Sequence, residues 1–322
     1  MVQLEKNPGM IILEKKEFNK LAREIETLEL DDSERSKHSG SFISLPCGNT
    51  HYEIKGEGEL VVLTHGYATP YVIYDRLFDA LVNSGFKVLR YDLLGRGLSE
   101  RVYGPYTPEL FARQLNELTR KLFGDEKFYL VGTSMGGTVT TAFCRFYPGR
   151  VKKLVLLSPA GMDSFKPPIY MKICQIPGFG KAFFKTFGGR ILLGHCSGEL
   201  KNTSQEDKDY YTRYYADCAK YKGFVSSTYS SLINCILNTK EDTEGYKSVN
   251  AQNIPVRVVW GTDDHTMPYY QIERMKEILP NAEYITLEDS GHDFVYDEGD
   301  KAADAVIPFF KKLKQYNIFN GS

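Results

Sequence analysis

The sequence predicts an α/β fold: a mostly parallel central sheet covered by helices on both faces, interrupted by a helical insertion after the sixth strand. Three observations predict it. Residues 60–63, 86–91, 127–131, 151–157 and 254–260 are short runs rich in apolar side chains, as expected of strands buried on both faces. Helix-length segments alternate with these runs through short loops, the pattern that builds a parallel sheet. The alternation then fails over residues 162–250, where helix and turn signals and many aromatics occur without a clear strand.

The elements follow in order. Residues 10–38 are highly charged, yet Phe18, Leu21, Ile25 and Leu28 recur at helical spacing and form one apolar stripe, so a helix lying on the core is expected. Segments 41–45 and 50–54, with Pro46, Gly48 and Asn49 between them, read as an antiparallel hairpin. Strand 60–63 runs into His65-Gly66-Tyr67, followed by a helix over 73–82, strand 86–91 and the loop Asp92-Leu93-Leu94-Gly95-Arg96-Gly97-Leu98-Ser99. Thr107 is placed to cap a helix that has Pro108 at its first position. That helix leads to an apolar run closing in Gly132-Thr133-Ser134-Met135-Gly136. A helix over 137–146 and strand 151–157 precede the insertion; strand 254–260, helix 271–279, strand 283–287 and a last helix over 301–316 follow it. The implied division is an N-terminal helical extension (1–38), a core in two pieces (39–161 and 251–322) and a mainly helical cap (162–250).

The bulk numbers exclude several function classes. A chain of 322 residues with 42% hydrophobic and 25% charged residues buries a large core without difficulty. Its formal net charge of −1 gives no global attraction to nucleic acid or to anionic membranes, which leaves only local patches for such contacts. Cys47, Cys144, Cys174, Cys196, Cys218 and Cys235 are scattered without a CxxC or a Cys/His metal spacing, so neither a metal site nor a disulfide framework is expected and the thiols read as mostly buried. The opening MVQLEKNPGMIILEKKEF lacks the long apolar segment of a secretory signal, and no run is long enough to span a bilayer. A cytoplasmic location is the expectation.

In an open parallel sheet, loops leaving the carboxyl ends of the strands emerge on one edge and can meet. Four loops there carry chemistry: His65-Gly66-Tyr67, the Ser134 turn, Gly261-Thr262-Asp263-Asp264-His265-Thr266-Met267-Pro268, and Ser290-Gly291-His292-Asp293-Phe294. A nucleophile, an acid and an imidazole therefore occur in the order Ser134, Asp264, His292. On these motifs, together with residues 92–99, the chain resembles the α/β-hydrolases, in the serine-nucleophile, esterase- or lipase-like branch with an inserted cap. The resemblance spans about residues 39–316 and leaves 1–38 outside it.

The resemblance implies a catalytic triad. His292 takes the proton of the Ser134 hydroxyl, and Asp264 holds the imidazole tautomer and steadies the imidazolium. The N–H groups of Tyr67 and Met135 are the expected oxyanion donors. The family spacing selects Asp264 over its neighbour Asp263, and Asp163, which leaves the same edge, is the alternative acid. His51 and His265 read as packing or surface residues, Asp293 as loop-ordering, and Asp92 and Arg96 as ties between loops. No cofactor and no metal is implied.

A serine nucleophile argues against the haloalkane dehalogenase and epoxide hydrolase branches, which attack with a carboxylate, and the H-G-G-P-G loop of proline aminopeptidases is lacking. Between Asp163 and Glu199 there are five basic residues and no acidic one among many apolar side chains. Phe165, Tyr170, Phe183 and Phe184 are the candidate substrate contacts of an apolar lid with a basic fringe, which suits a small hydrophobic ester and also offers peripheral contact with a lipid surface. The expected activity is ester hydrolysis through an acyl-serine. A C–C bond hydrolase or thioesterase of the same fold is the enzymatic alternative, and a non-catalytic ligand receptor the alternative of another class.

Overall fold

The computed structural model describes residues 15–196, 200 and 202–312. The chain enters through α1 (Lys15–Glu24) and α2 (Asp32–Arg35), then the hairpin β1 (Ser41–Leu45) and β2 (Gly48–Lys55). β3 (Leu60–Thr64), α3 (Asp75–Asn83), β4 (Lys87–Tyr91), α4 (Pro108–Phe123), β5 (Phe128–Thr133), α5 (Met135–Phe146) and β6 (Val151–Leu157) alternate as expected. Between β6 and β7 (Val256–Gly261) lie α6 (Ile169–Cys174), α7 (Phe179–His195), α8 (Gln205–Ala219), α9 (Phe224–Ser231) and α10 (Thr239–Ala251). The chain closes with α11 (Gln271–Ile278), β8 (Glu283–Leu287), α12 (Phe294–Asp297) and α13 (Gly299–Lys311).

The eight strands form one sheet in the order β1-β2-β4-β3-β5-β6-β7-β8. β1 and β2 pair antiparallel, β2 joins β4 antiparallel, and every pairing from β4 to β8 is parallel. Side chains alternate between two cores, as the twofold period of a strand requires. Leu60, Val62, Leu130, Leu154, Leu156, Val258 and Trp260 face one core with α4, α5, α10 and α11. Val61, Leu63, Val131, Val155, Leu157 and Val259 face the other with α3, α12 and α13. Burial on both faces is why these strands read as unbroken apolar runs.

Three elements differ from the sequence expectation. The Phe18–Leu28 stripe does not continue as one helix: α1 stops at Glu24, Glu26 takes φ 56°, and the chain turns so that Glu26 and Leu28 donate backbone hydrogen bonds to Ala219 and Lys220 at the end of α8. Before α3, residues Tyr71–Tyr74 form a 3₁₀ turn rather than the start of an α-helix. The last helix begins two residues early and is described to Lys311; the expected continuation to 316, like residues 1–14 of the N-terminal extension, lies outside the described residues. α10, within the 162–250 segment, packs on α5, with the Tyr246 hydroxyl bonded to the Ala160 carbonyl and Gln252 to that of Cys144. It thereby supplies the crossover helix that a parallel β6–β7 pair needs.

Candidate active site

The chain runs from β3 to β4 on one side and returns to β5 on the other, so the carboxyl ends of β3 and β5 flank the point where strand order reverses, the usual position of a ligand crevice in such sheets. Ser134 sits there, between β5 and α5, with φ 53° and ψ −123°. A non-glycine residue at positive φ stores about 1–3 kcal/mol of strain and persists only where its surroundings impose it. Here they do. A Cβ at Gly132 would collide with the Gly136 carbonyl, and one at Gly136 with that of Thr64. The Ser134 N–H donates to Leu157 and its carbonyl accepts from Ala160, both at 3.0 Å, which locks the turn to the end of β6.

The loops after β7 and β8 are tied to each other. The Thr262 N–H donates to the Leu287 carbonyl and the Asp263 N–H to that of Ser290, each at 3.0 Å. The Trp260 indole donates to the Met267 carbonyl at 2.9 Å, drawing the loop into a turn over the strand. Inside this turn Asp264 accepts from the Thr266 and Met267 N–H groups with Oδ1, while Oδ2 lies 2.8 Å from His292 Nδ1. Asp264, His292 and Ser134 are all buried. A carboxylate only accepts, so the hydrogen between Asp264 and His292 belongs to Nδ1, which leaves Nε2 as the basic nitrogen.

The two other candidate acids are engaged elsewhere. Asp263 faces exposed His265 at 3.0 Å. Asp163 holds Arg274 through two hydrogen bonds at 2.8 and 2.9 Å, and these keep its carboxyl below the usual range.

The Tyr67 loop is held from three directions. His65 Nε2 accepts the Leu93 N–H at 2.8 Å, so Nδ1 carries the ring hydrogen and donates to the Gly66 carbonyl at 3.0 Å. Burial holds this imidazole down to about 4, consistent with the neutral ring that the hydrogen bonds require. The Gly66 carbonyl and the Tyr67 N–H belong to one peptide unit, so His65 orients the candidate oxyanion donor. Arg96 Nε donates to the Tyr67 carbonyl at 2.7 Å, and the Tyr67 hydroxyl donates to Thr228 in α9 at 2.9 Å. The Tyr67 N–H makes no backbone hydrogen bond among the described residues. Met135 opens α5, and the first amides of a helix have no carbonyl within it to bond.

The 92–99 loop is thus the brace behind the Tyr67 loop. Asp92 accepts from the Tyr71 and Leu98 N–H groups and from His51 Nδ1. Burial pushes its carboxyl up, but the bond and charge of His51 outweigh this and keep it low. The fully buried Arg96 lies 5.7–5.9 Å from the rings of Tyr67, Tyr106 and Phe111, and its Nη1 and Nη2 make no hydrogen bond among the described residues. The sequence pattern predicts a packing or surface role for His51 and a loop tie for Arg96, and it assigns no role to His65, which directly precedes the Gly66-Tyr67 peptide.

Asp242, in the first turn of α10, carries no motif or spacing signal in the sequence. Both its carboxyl oxygens are buried without a hydrogen bond among the described residues, and burial, with Glu109 nearby, pushes it up to about 9.

The four expected substrate contacts are divided. Phe165 is buried in the loop after β6, and Tyr170 on α6 has its ring 6.4 Å from His195. Phe184 is buried 5.5 Å from Tyr229, whereas Phe183 stands between Phe179 and Phe187 on another side of α7. An open groove of about 940 Å³ lined by Leu45, Tyr103, Glu109, Arg113 and Tyr147 includes none of Ser134, Asp264 and His292.

A family model described as alpha/beta hydrolase fold matches residues 59–299. Lipase 3 of a Moraxella species is 28% identical over 287 residues, covering 83% of each chain. A 2-hydroxy-6-oxononadienedioate/2-hydroxy-6-oxononatrienedioate hydrolase of Pseudomonas putida is 26% identical over 284 residues, covering 85% of this chain and 97% of the relative. Among solved structures, an esterase from Exiguobacterium antarcticum superposes with a TM-score of 0.72 at 19% identity, over 85% of this chain and all of that one.

Proposed function

Because the chain belongs to the α/β-hydrolase fold family, we propose that it is a serine hydrolase that cleaves a hydrophobic carboxylic ester through an acyl-Ser134 intermediate. The observation that carries this is the buried Asp264–His292 pair, 2.8 Å apart, at the same sheet edge as a serine held at positive φ.

In the proposed cycle His292 Nε2 takes the Ser134 proton as Oγ attacks the ester carbon. The carbonyl electron pair moves onto oxygen, where the N–H groups of Tyr67 and Met135 receive it. Collapse breaks the C–O bond and expels the alcohol, which leaves with the proton from His292. A water, deprotonated by the same imidazole, then attacks the acyl carbon; the acyl–Oγ bond breaks, Ser134 takes the proton back from His292, and the acid leaves. Asp264 keeps the ring in register throughout. Residues 162–250 act as the cap that selects the acyl group, with Phe165, Tyr170 and Phe184 as its apolar contacts; Phe183, in the row with Phe179 and Phe187, is left out of that set.

A nitrophenyl ester series of increasing acyl length tests the reading. Release of nitrophenol with a preferred length, abolished in Ser134→Ala, is the expected result; no turnover of any ester, with no inactivation by a serine-directed phosphonate, refutes it. The likeness to the Pseudomonas putida hydrolase favours one second reading, C–C bond cleavage in a dienoic ketoacid. Turnover of such a dienoate with none of simple esters selects it.

A further inference from the structure

α7 is apolar on two sides, and only one of them is covered. Gly180, Phe184, Gly188, Gly189, Leu192 and Leu193 are buried, and the helix packs there against α1 and α9. On the other side Phe179, Phe183 and Phe187 follow one another at intervals of one helical turn, with ring centroids 6.3 and 5.4 Å apart. Phe179 is 58% exposed and Phe187 50%. The ladder continues into the preceding turn, where the Ile176 carbonyl accepts the Gly180 N–H and the Ile176 side chain is 48% exposed; Ile169, at the start of α6, is 73% exposed. A water-facing helix ordinarily puts charged residues on its outer side, and exposed rings on either side of the half-buried Phe183 mark a contact surface.

The charges around the row say what it meets. Residues 164–198 contain Lys166, Lys172, Lys181, Lys185 and Arg190 and no Asp or Glu, a local charge of +5 in a chain whose net charge is −1. Lys166, Lys172, Lys181 and Lys185 are exposed, and none of them forms an ion pair among the described residues. Arg190 is committed to the N-terminal helix, donating to Asn19 and lying over the Phe18 ring. Lys181 and Lys185 alternate along α7 with the exposed phenylalanines. A protein partner of ordinary composition gives no reason for apolar rings fringed by uncompensated lysines; an acyl layer beneath anionic headgroups accounts for both.

We infer that the outer side of α6 and α7 is a docking surface for an anionic lipid bilayer, with Ile176, Phe179 and Phe187 entering the acyl boundary and the lysines holding the headgroups. No helix among the described residues is long and apolar enough to cross a membrane, so the contact is peripheral. This inference stands apart from the hydrolase reading, since vesicle binding needs no turnover.

The test is co-sedimentation of the full chain carrying Ser134→Ala with vesicles of phosphatidylcholine, alone or with a quarter phosphatidylserine. Binding is expected only with phosphatidylserine, weakening as salt is raised. Lys181→Glu with Lys185→Glu should lower the vesicle affinity by about tenfold or more, and Phe179→Ser with Phe187→Ser should abolish binding while leaving circular dichroism and the melting midpoint unchanged. Absence of binding to the phosphatidylserine vesicles overturns the inference, as does equal binding by the phenylalanine variant. So does a dimer that the phenylalanine substitutions dissociate and that binds no vesicles, since the row would then be a contact between two copies of this chain.

Discussion

Two regions of the molecule answer to opposite rules. At the carboxyl edge of the sheet three side chains are fixed by their neighbours: Ser134 by two glycines with no room for a Cβ, Asp264 by two backbone amides and an imidazole, His65 by a donor on one nitrogen and an acceptor on the other. On the outer side of α6 and α7, less far into the insertion than α10, Phe179 and Phe187 are exposed and the four exposed lysines form no ion pair among the described residues. Under the proposed reading the edge serves chemistry within the molecule, whereas the outer side of the insertion is completed from outside. A site is recognised in the first case by convergence of partners and in the second by their lack.

The largest expected effect lies at the edge. Ser134→Ala should lower ester turnover by about 10⁴-fold or more, as for nucleophiles that work as a unit with their base, with the melting midpoint preserved. Steady-state kinetics beside calorimetry decides it. Within α7 the contrast is steep over three residues. Phe184→Ala, from a buried position, should cost about 3–5 kcal/mol of stability, whereas Phe187→Ser should stay within about 0.5 kcal/mol; urea unfolding of the two variants measures the difference. Gly136→Ala, whose methyl group would meet the Thr64 carbonyl, is expected to cost about 1–3 kcal/mol and to lower activity with it.

The pH dependence follows from two buried groups and is the smallest effect. His65 is held neutral down to about 4, so between its ordinary pKa and that value the unfolded chain binds a proton that the folded one does not. Its contribution to stability is therefore lost as pH falls through this window. Asp242 is raised to about 9, so above the ordinary carboxylate range the folded state keeps a proton that the unfolded state has released, and stability falls as pH rises toward 9. Asp242→Asn removes that penalty and should raise the melting midpoint at pH 7 by about 2 °C, an advantage that shrinks at pH 4.

The alternation of strands and helices was legible because both faces of the sheet are covered, which makes each strand an apolar run, and because Ser134 directly follows one strand and His292 lies in the loop after another. What the sequence concealed depends on contacts between distant segments. The Phe18–Leu28 stripe breaks at Glu26 because that residue's carboxylate caps α9, accepting from the Gly223 and Val225 N–H groups at 2.9 Å, a partner almost two hundred residues away. Local periodicity carries no trace of it. His65 acquires its tautomer from Leu93, and α10 is a crossover helix only because Tyr246 and Gln252 reach back to the chain around β6 and α5. Phe183 and Phe184 are adjacent in sequence and alike in chemistry, and only the packing of α7 separates the buried one from its half-buried neighbour.

The most direct measurement is to expose the full chain to a fluorophosphonate and map the adduct by mass spectrometry, in parallel with His292→Ala. A single adduct on Ser134, slowed at least a hundredfold in the His292→Ala protein, is the expected result. Ester turnover that persists with Ser134 unlabelled, or an adduct on any other residue that accounts for the lost activity, would contradict the assignment.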